Sequence, residues 1–251
     1  MGNHRAGKKV YLYAVAAESG DPPGGFPGID GKSVYSVSSG RVAAVVSDLS
    51  NGKLRPERRH LAAHQVVLKR LMEKGTVLPM AFGFIADGAT TVERILSRNQ
   101  QALLAQLNRV AEKVEMGLRV TWDVPNIFEY FVNTHPELRM ARDRLLGNHR
   151  EPSEENKIEL GRLFDDVLNE DRQSHSEKVK RILARCCEEV KQNKCRNERE
   201  VMNLACLVGR QRQQEFEAAV FEAAALFDNN FAFDYNGPWA PHNFVELNLD
   251  V

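Results

Sequence analysis

An α+β fold in two domains is the architecture that the sequence predicts, and three observations predict it. Some stretches carry apolar residues in steps of three and four, the spacing of one helix face, while others are short apolar runs of strand length. The second half runs strand, helices, strand, helix, strand, an order compatible with an elaborated ferredoxin-like α+β domain. Between the halves, at Met116–Trp122, the period switches to two. Met116, Leu118, Val120 and Trp122 share one face, and Gly117, Arg119, Thr121 and Asp123 the other. The boundary belongs just before that switch. The expected organisation is an N-terminal α+β domain over residues 1–112, a ferredoxin-like domain over 113–236, and an extended tail over 237–251 that packs back on the protein.

The first domain reads as a small mixed sheet of about four strands carrying two helices. Val10–Ala17 is apolar, aromatic and short, a buried strand. A loop dense in Gly and Pro follows over 20–31. Ser33–Val37 and Arg41–Ser47 then flank Ser38-Ser39-Gly40, a hairpin with a glycine-bearing turn. Leu54–Asp87 is the most distinctive stretch. Pro56 opens it, and an apolar stripe follows at Leu61, His64, Leu68 and Leu71–Met72. Gly75 stops this helix, where a left-handed conformation is expected. Val77–Ile85 reads as one strand, with Pro79 near its start, where a missing amide donor does least harm, and Asp87-Gly88 as the closing turn. A second helix over 88–112 carries Val92, Ile95–Leu96, Asn99, Leu103, Leu107 and Val110 in helical steps.

In the second domain Asp123-Val124-Pro125 starts a helix with proline in its first turn, and Pro136 restarts it. Ser153–Asn193 is long, charged and helical. One stripe is Leu160, Leu163–Phe164 and Val167; another is Val179, Ile182–Leu183, Cys186 and Val190. The polar patch Asp171–Ser176 between them predicts a break or a bend. Glu200–Val208 is an interior strand. Arg210–Phe227 is a helix with Phe216, Val220, Ala223–Ala224 and Phe227 facing inward, and Phe231–Tyr235 is the last strand.

A chain of 251 residues buries roughly 70–75% of its extended surface, so it needs neither disulfides nor a metal to fold. Zero formal net charge argues against a dedicated nucleic-acid binder or a binder of anionic membranes. Cys186, Cys187, Cys195 and Cys206 form no CxxC and read as reduced structural thiols. The first ten residues lack the apolar core of a signal peptide, and no run approaches the roughly 20 residues of a membrane span. A cytoplasmic protein without a lipid-membrane partner is expected.

The candidate chemistry is sparse. Gly28-Ile29-Asp30-Gly31-Lys32-Ser33 ends like a phosphate loop, but the glycine required five positions before Gly31 is Phe26, and a strand follows in place of a helix. Pro22, Pro23 and Pro27 remove further amide donors, so the stretch reads as a surface turn. His60 and His64 stand at i and i+4, a metal-ligand spacing, but Leu61 replaces the glutamate of the zinc-protease motif and no third ligand is near. His64, on the apolar face, reads as a buried hydrogen-bonded histidine. No nucleophile elbow is present. The basic clusters Arg55–Arg59, Arg139–Arg150, Lys178–Arg185 and Arg210–Arg212 are interleaved with acids and read as solvated faces. No catalytic residue, cofactor or metal site is expected. The tail Gly237-Pro238-Trp239-Ala240-Pro241-His242-Asn243-Phe244 is stiff and carries a large apolar side chain. It either plugs the chain's own surface or docks on another protein.

Four stretches in order, 55–87, Lys113–Trp122, Tyr235–Leu247 and the opening Val10–Ala16 with its Gly28-Ile29-Asp30-Gly31 turn and hairpin, resemble the gas vesicle protein F and L family, GvpF/GvpL. The resemblance spans about Val10 to Leu247. Two departures stand out: Ala81 where the family commonly has a basic residue, and Ala240 and His242 in a tail that often reads Gly-Pro-Trp-Pro-Pro-Tyr. Membership implies an accessory, non-enzymatic protein of gas vesicles. It implies binding to the small hydrophobic shell protein GvpA and to other accessory proteins, and help with nucleation by limiting aggregation. Enclosure during nucleation would leave it on the gas-facing side. The residues carrying the resemblance, and so candidate partner-binding residues, are Arg55, Pro56, His64, Leu78, Pro79, Phe82, Gly83, Gly237, Pro238, Trp239 and Pro241. Rival functions are a nucleotide-using assembly enzyme, motivated only by Gly31-Lys32-Ser33, and a scaffold contacting other vesicle accessory proteins.

Overall fold

The computed structural model describes residues 9–18, 24–49, 54–147 and 153–250. The first eight residues, Pro22 and Pro23, and Arg150 of the second basic cluster lie outside the described residues. The chain forms two compact units, one made of the residues up to Glu115 together with those from Pro238 on, the other of Met116–Gly237.

The first unit is organised on strand β1, Val10–Ala17, buried from Val10 to Val15. On one side it pairs antiparallel with β3, Val42–Asp48, which forms a hairpin with β2, Val34–Ser39. On its other side lie two short pieces, β4 (Val77–Pro79) and β5 (Ile85–Ala86), both antiparallel to it. The expected mixed sheet is thus antiparallel throughout and has five strands. The reason is topological. Helix α1, Arg58–Lys74, returns the chain from β3 to β4 in the same direction, but β1 lies between those two strands, so no parallel neighbours meet.

Helices α1 and α2 (Ala89–Arg109) supply the rest of this core: His60, His64, Val67, Leu68, Leu71 and Met72 from α1, and Val92, Ile95, Leu96, Leu103 and Leu107 from α2. Leu61, expected inside, is 40% exposed; His60, four residues before His64, takes the inward position. Gly75 does end α1, but at φ 169° and ψ −164°, extended backbone open to any residue, so the expected left-handed cap is absent there.

The second unit runs β6 (Lys113–Trp122, from Met116 on), α3 (Ile127–Thr134), α4 (Pro136–Leu146), α5 (Glu154–Leu183), β7 (Cys187–Asn193), β8 (Glu200–Gly209), α6 (Gln213–Ala224) and β9 (Phe231–Trp239, as far as Gly237). Its sheet order is β7-β8-β6-β9, so β8 and β6 are central. Asn126 caps α3, its side chain accepting from the Glu129 amide, so Pro125 precedes the helix and does not lie in its first turn. Pro136 opens α4 as its first residue.

Two expectations fail in α5. It runs unbroken for 30 residues through Asp171–Ser176. The polar side chains there are engaged by the fold: Arg172 donates to the carbonyls of Asn197, Glu198 and Glu200, Ser176 accepts from Gln192 Nε2, and the His175 ring packs on Phe227 and Phe231. Cys186 and Val190, expected on its stripe, lie beyond its end, Val190 in β7 opposite Cys206. Steps of three and four happened to continue into a strand. All four cysteines are free thiols, and burial holds the Cys186 thiol up at about 12.

Candidate functional site

Of the eleven residues that carry the resemblance, Leu78, Pro79, Phe82 and Gly83 lie on the outer edge of the first sheet, with His64 beneath them. β4 and β5 are two pieces of one edge strand, and β1 bonds the segment between them as well: Met80 N donates to Tyr13 O at 2.9 Å and Leu12 N to Phe84 O at 3.0 Å. Val77–Ile85 is therefore not the single strand expected. Ala81-Phe82-Gly83 loops out of the ladder, with Gly83 at φ +94°, where only glycine sits without strain. Leu78 is fully buried opposite Val15, and Pro79 pairs with Ala14 on the outer strand, where its missing amide removes no bond to an inner neighbour.

The out-loop is fixed from beneath. Tyr11 and Tyr13 of β1 both point inward, their rings 4.9 Å apart. Tyr13 Oη takes the Ile29 amide at 2.8 Å and meets Ser47 Oγ at 2.8 Å. Tyr11 Oη accepts from the Gly83 amide at 3.3 Å and lies 2.8 Å from His64 Nδ1. A hydroxyl carries one hydrogen and two lone pairs, so Tyr11 Oη can take the Gly83 amide and bond Nδ1 at the same time, with the direction of the second bond set by the His64 tautomer. Phe82 packs on both rings, with centroids 5.9 Å from each. The His242 ring of the tail lies 6.5 Å from that of His64.

His64 is 2% exposed, and burial, with a smaller contribution from His242, holds its pKa down at about 4. It is neutral at pH 7. Burial lowers His242 and raises Tyr11 in the same way. These groups are held in their uncharged forms and closed off, which suits positioning better than proton transfer. His60 is engaged elsewhere, its Nδ1 donating to Arg55 O at 2.9 Å and its Nε2 3.1 Å from Asp30 Oδ1. The two histidines of the HLAAH spacing therefore serve different partners. The phosphate-loop look-alike closes on itself: Gly28 N donates to Lys32 O, Gly31 N to Gly28 O and Lys32 N to Ile29 O. These three amides point at the loop's own carbonyls, the Ile29 amide goes to Tyr13 Oη, and β2 follows.

The tail is fastened by residues that the motif did not single out. Phe244 is fully buried, and Ala240 and Pro241 are buried beside it. Glu115, 8% exposed, accepts from Asn243 N at 2.8 Å and Asn243 Nδ2 at 2.6 Å. Trp239, the expected plug, is 43% exposed. With Pro238 and the α1 residues Gln65, Val66, Leu68, Lys69 and Met72 it lines an apolar cleft of about 120 Å³. Gly237 and Pro238 are exposed at the end of β9, and Arg55 and Pro56 are exposed ahead of α1. Those four take no part in the Tyr11–His64 cluster. Of the residues missed, Asn99 had a visible signal, a lone amide in the apolar stripe of α2.

The sequence model of the family described as "Gas vesicle synthesis protein GvpL/GvpF" matches residues 9–246. The chain belongs to the GvpL/GvpF family. Relatives called gas vesicle protein F include one from a Streptomyces species, 28% identical over 94% of this chain and 99% of its own. Another, from a Nostoc species, is 25% identical over 95% and 98%. Crystal structures of GvpF from Microcystis aeruginosa and from an Anabaena species share the fold. Their TM-scores are 0.80 and 0.79, each at 24% identity, covering 95% and 96% of this chain and 99% of theirs. The family makes this a gas-vesicle protein. No helix among the described residues is long and apolar enough to cross a membrane.

Proposed function

We propose that this GvpL/GvpF-family chain is a non-enzymatic accessory protein that binds the hydrophobic shell subunit, GvpA, and limits its aggregation while a vesicle nucleates. The family match over residues 9–246 carries this reading. Its docking surface is the β4–β5 edge, with the half-exposed Trp239 and Val66 as a neighbouring apolar contact. A sheet edge pairs with an extended segment through backbone hydrogen bonds, and adjacent apolar side chains add area. It acts in the cytoplasm, and capture during nucleation leaves it on the gas-facing side of the finished shell. Copurification with tagged shell protein and suppression of its light scattering at micromolar concentrations test the reading; absence of both sinks it.

A second surface favours contact with other accessory proteins as well. Ala141, Leu145, Ile158 and Leu163 floor a cleft of about 660 Å³ between α4 and α5, rimmed by Arg144, Arg162, Glu155, Glu159 and Asp166. Met140, also on α4, is 66% exposed and Ile158 53%. Pairwise binding against each vesicle component, with Met140→Ser/Ile158→Ser beside the wild type, separates this contact from the first: the double substitution weakens an accessory partner and leaves the shell subunit bound.

A further inference from the structure

Residues 245–250 carry an alternation that the rest of the tail lacks. Val245, Leu247 and Leu249 are half-buried, while Glu246, Asn248 and Asp250 are exposed. That is the period of an extended strand, although the segment joins no sheet. Together with Pro79, Met80, Ala81, Phe84 and His242, the three aliphatic side chains line a cleft of about 340 Å³ at the β4–β5 edge.

The far end of the segment is held by Asn99 on α2, which is 7% exposed. Its Oδ1 accepts from the Asp250 amide at 3.1 Å, and its Nδ2 donates to the Asp250 carbonyl at 3.0 Å and to Ile95 O at 2.7 Å. A carboxamide bonded to both the N–H and the C=O of one residue reads extended backbone and no side chain. The segment is thus held in two ways: its extended main chain at Asn99, and its alternate aliphatic side chains facing Pro79, Met80, Ala81 and Phe84 across the cleft.

We propose that the β4–β5 edge and Asn99 form a receptor for an extended, alternately aliphatic segment of a partner polypeptide, and that residues 245–250 are its built-in occupant, a strap that the partner displaces. The proposal rests on the docking function above and names the site and its regulation. The firm anchors of the tail, Phe244 and the Asn243–Glu115 pair, come before the strap, so its release leaves them in place. A tethered strap competes at an effective concentration in the millimolar range. A partner that binds tightly enough in the absence of the strap is thereby held off until its own local concentration rises, as it does where shell subunits gather.

The test uses a fluorescent peptide of the strap, Val-Glu-Leu-Asn-Leu-Asp with an amidated end, against three receivers: the full chain, a chain ending at Phe244, and the full chain with Leu247→Ser/Leu249→Ser. The shortened chain is expected to bind the peptide at least about tenfold more tightly than the full chain, the effect of removing a tethered competitor. The doubly substituted full chain, which keeps its length and its Phe244 anchor, falls between. Asn99→Ala in the shortened chain weakens the peptide about tenfold. Equal binding by all three receivers, or binding by none, overturns the proposal. Shell subunit titrated into the same receivers separates the two ideas. Tighter binding to the shortened chain supports both. Equal binding to full and shortened chains removes the strap's role and leaves the docking function standing. Binding of the peptide without any binding of the shell subunit removes the docking function and leaves the receptor site standing.

Discussion

The two sheets end in outer strands that are built in opposite ways. The β4–β5 edge of the first unit is broken into pieces of three and two residues, contains a proline, buries Val77 to Met80, and has the C-terminal residues beside it. Strand β9 of the second unit runs nine residues without interruption. Its Phe231, Phe233 and Tyr235 alternate onto one face, where Phe231 and Phe233 lie 4.9 and 5.1 Å from Phe227, and Tyr235 packs near Phe216 and Phe221. Edge strands expose a pairing template that a protein must blunt. The second unit ties one face of its outer strand down with its own rings. The first has residues 245–250, the proposed strap, across a cleft from its edge.

The largest expected effect separates the two edges. Phe244→Ala empties a fully buried aromatic site and should lower stability by about 3–5 kcal/mol in urea unfolding. Hydrogen exchange should accelerate at Val77, Leu78 and Ile85 while the amides of β9 keep their protection. Equal acceleration in β9 would show that the edges are not independent.

Acid should act on the same region. The pKa of His64 is lowered on folding, from 6.5 to about 4, so its contribution to stability is fully present above pH 6.5 and is lost as pH falls toward 4. The loss is on the order of 2–3 kcal/mol, and His242, lowered by burial in the same cluster, adds to it in the same direction. Thermal midpoints measured between pH 7 and 4 should fall less steeply for His64→Phe than for the wild type.

Smaller effects sharpen the contrast. Phe233→Ala removes a half-buried ring and should cost roughly 1–2 kcal/mol, confined to the second unit. Trp239→Ala, at 43% exposure, should change stability by under about 1 kcal/mol while weakening capture of the shell subunit. A loss of 3 kcal/mol or more would return Trp239 to the role of an internal plug.

Much of this was legible in the sequence, because periodicity reports which face of an element is buried. β1, the β2–β3 hairpin, α1, α2 and the alternation of β6 follow directly from it. The failures share a cause: local spacing cannot see the partner across the fold. Val77–Ile85 reads as one apolar strand because nothing in it shows that Gly83 must reach Tyr11 Oη. Asp171–Ser176 reads as a break because the carbonyls that engage Arg172 lie some 25 residues later, at Asn197–Glu200. In the tail Trp239 is the larger and more conspicuous ring, whereas the fully buried one is Phe244, which nothing in the local spacing distinguishes. His64 reads as a buried hydrogen-bonded histidine and is one, but its partner, Tyr11, lies 53 residues away, beyond the reach of any local pattern.

Capture of the shell subunit is the central claim, and dilution of purified GvpA from denaturant tests it most directly. Light scattering is followed with and without an equimolar amount of this chain at micromolar concentration, and the mixture is then resolved by size. Scattering should be suppressed and a complex containing both proteins recovered. Scattering equal to that of GvpA alone, with the two proteins eluting apart, would contradict the account.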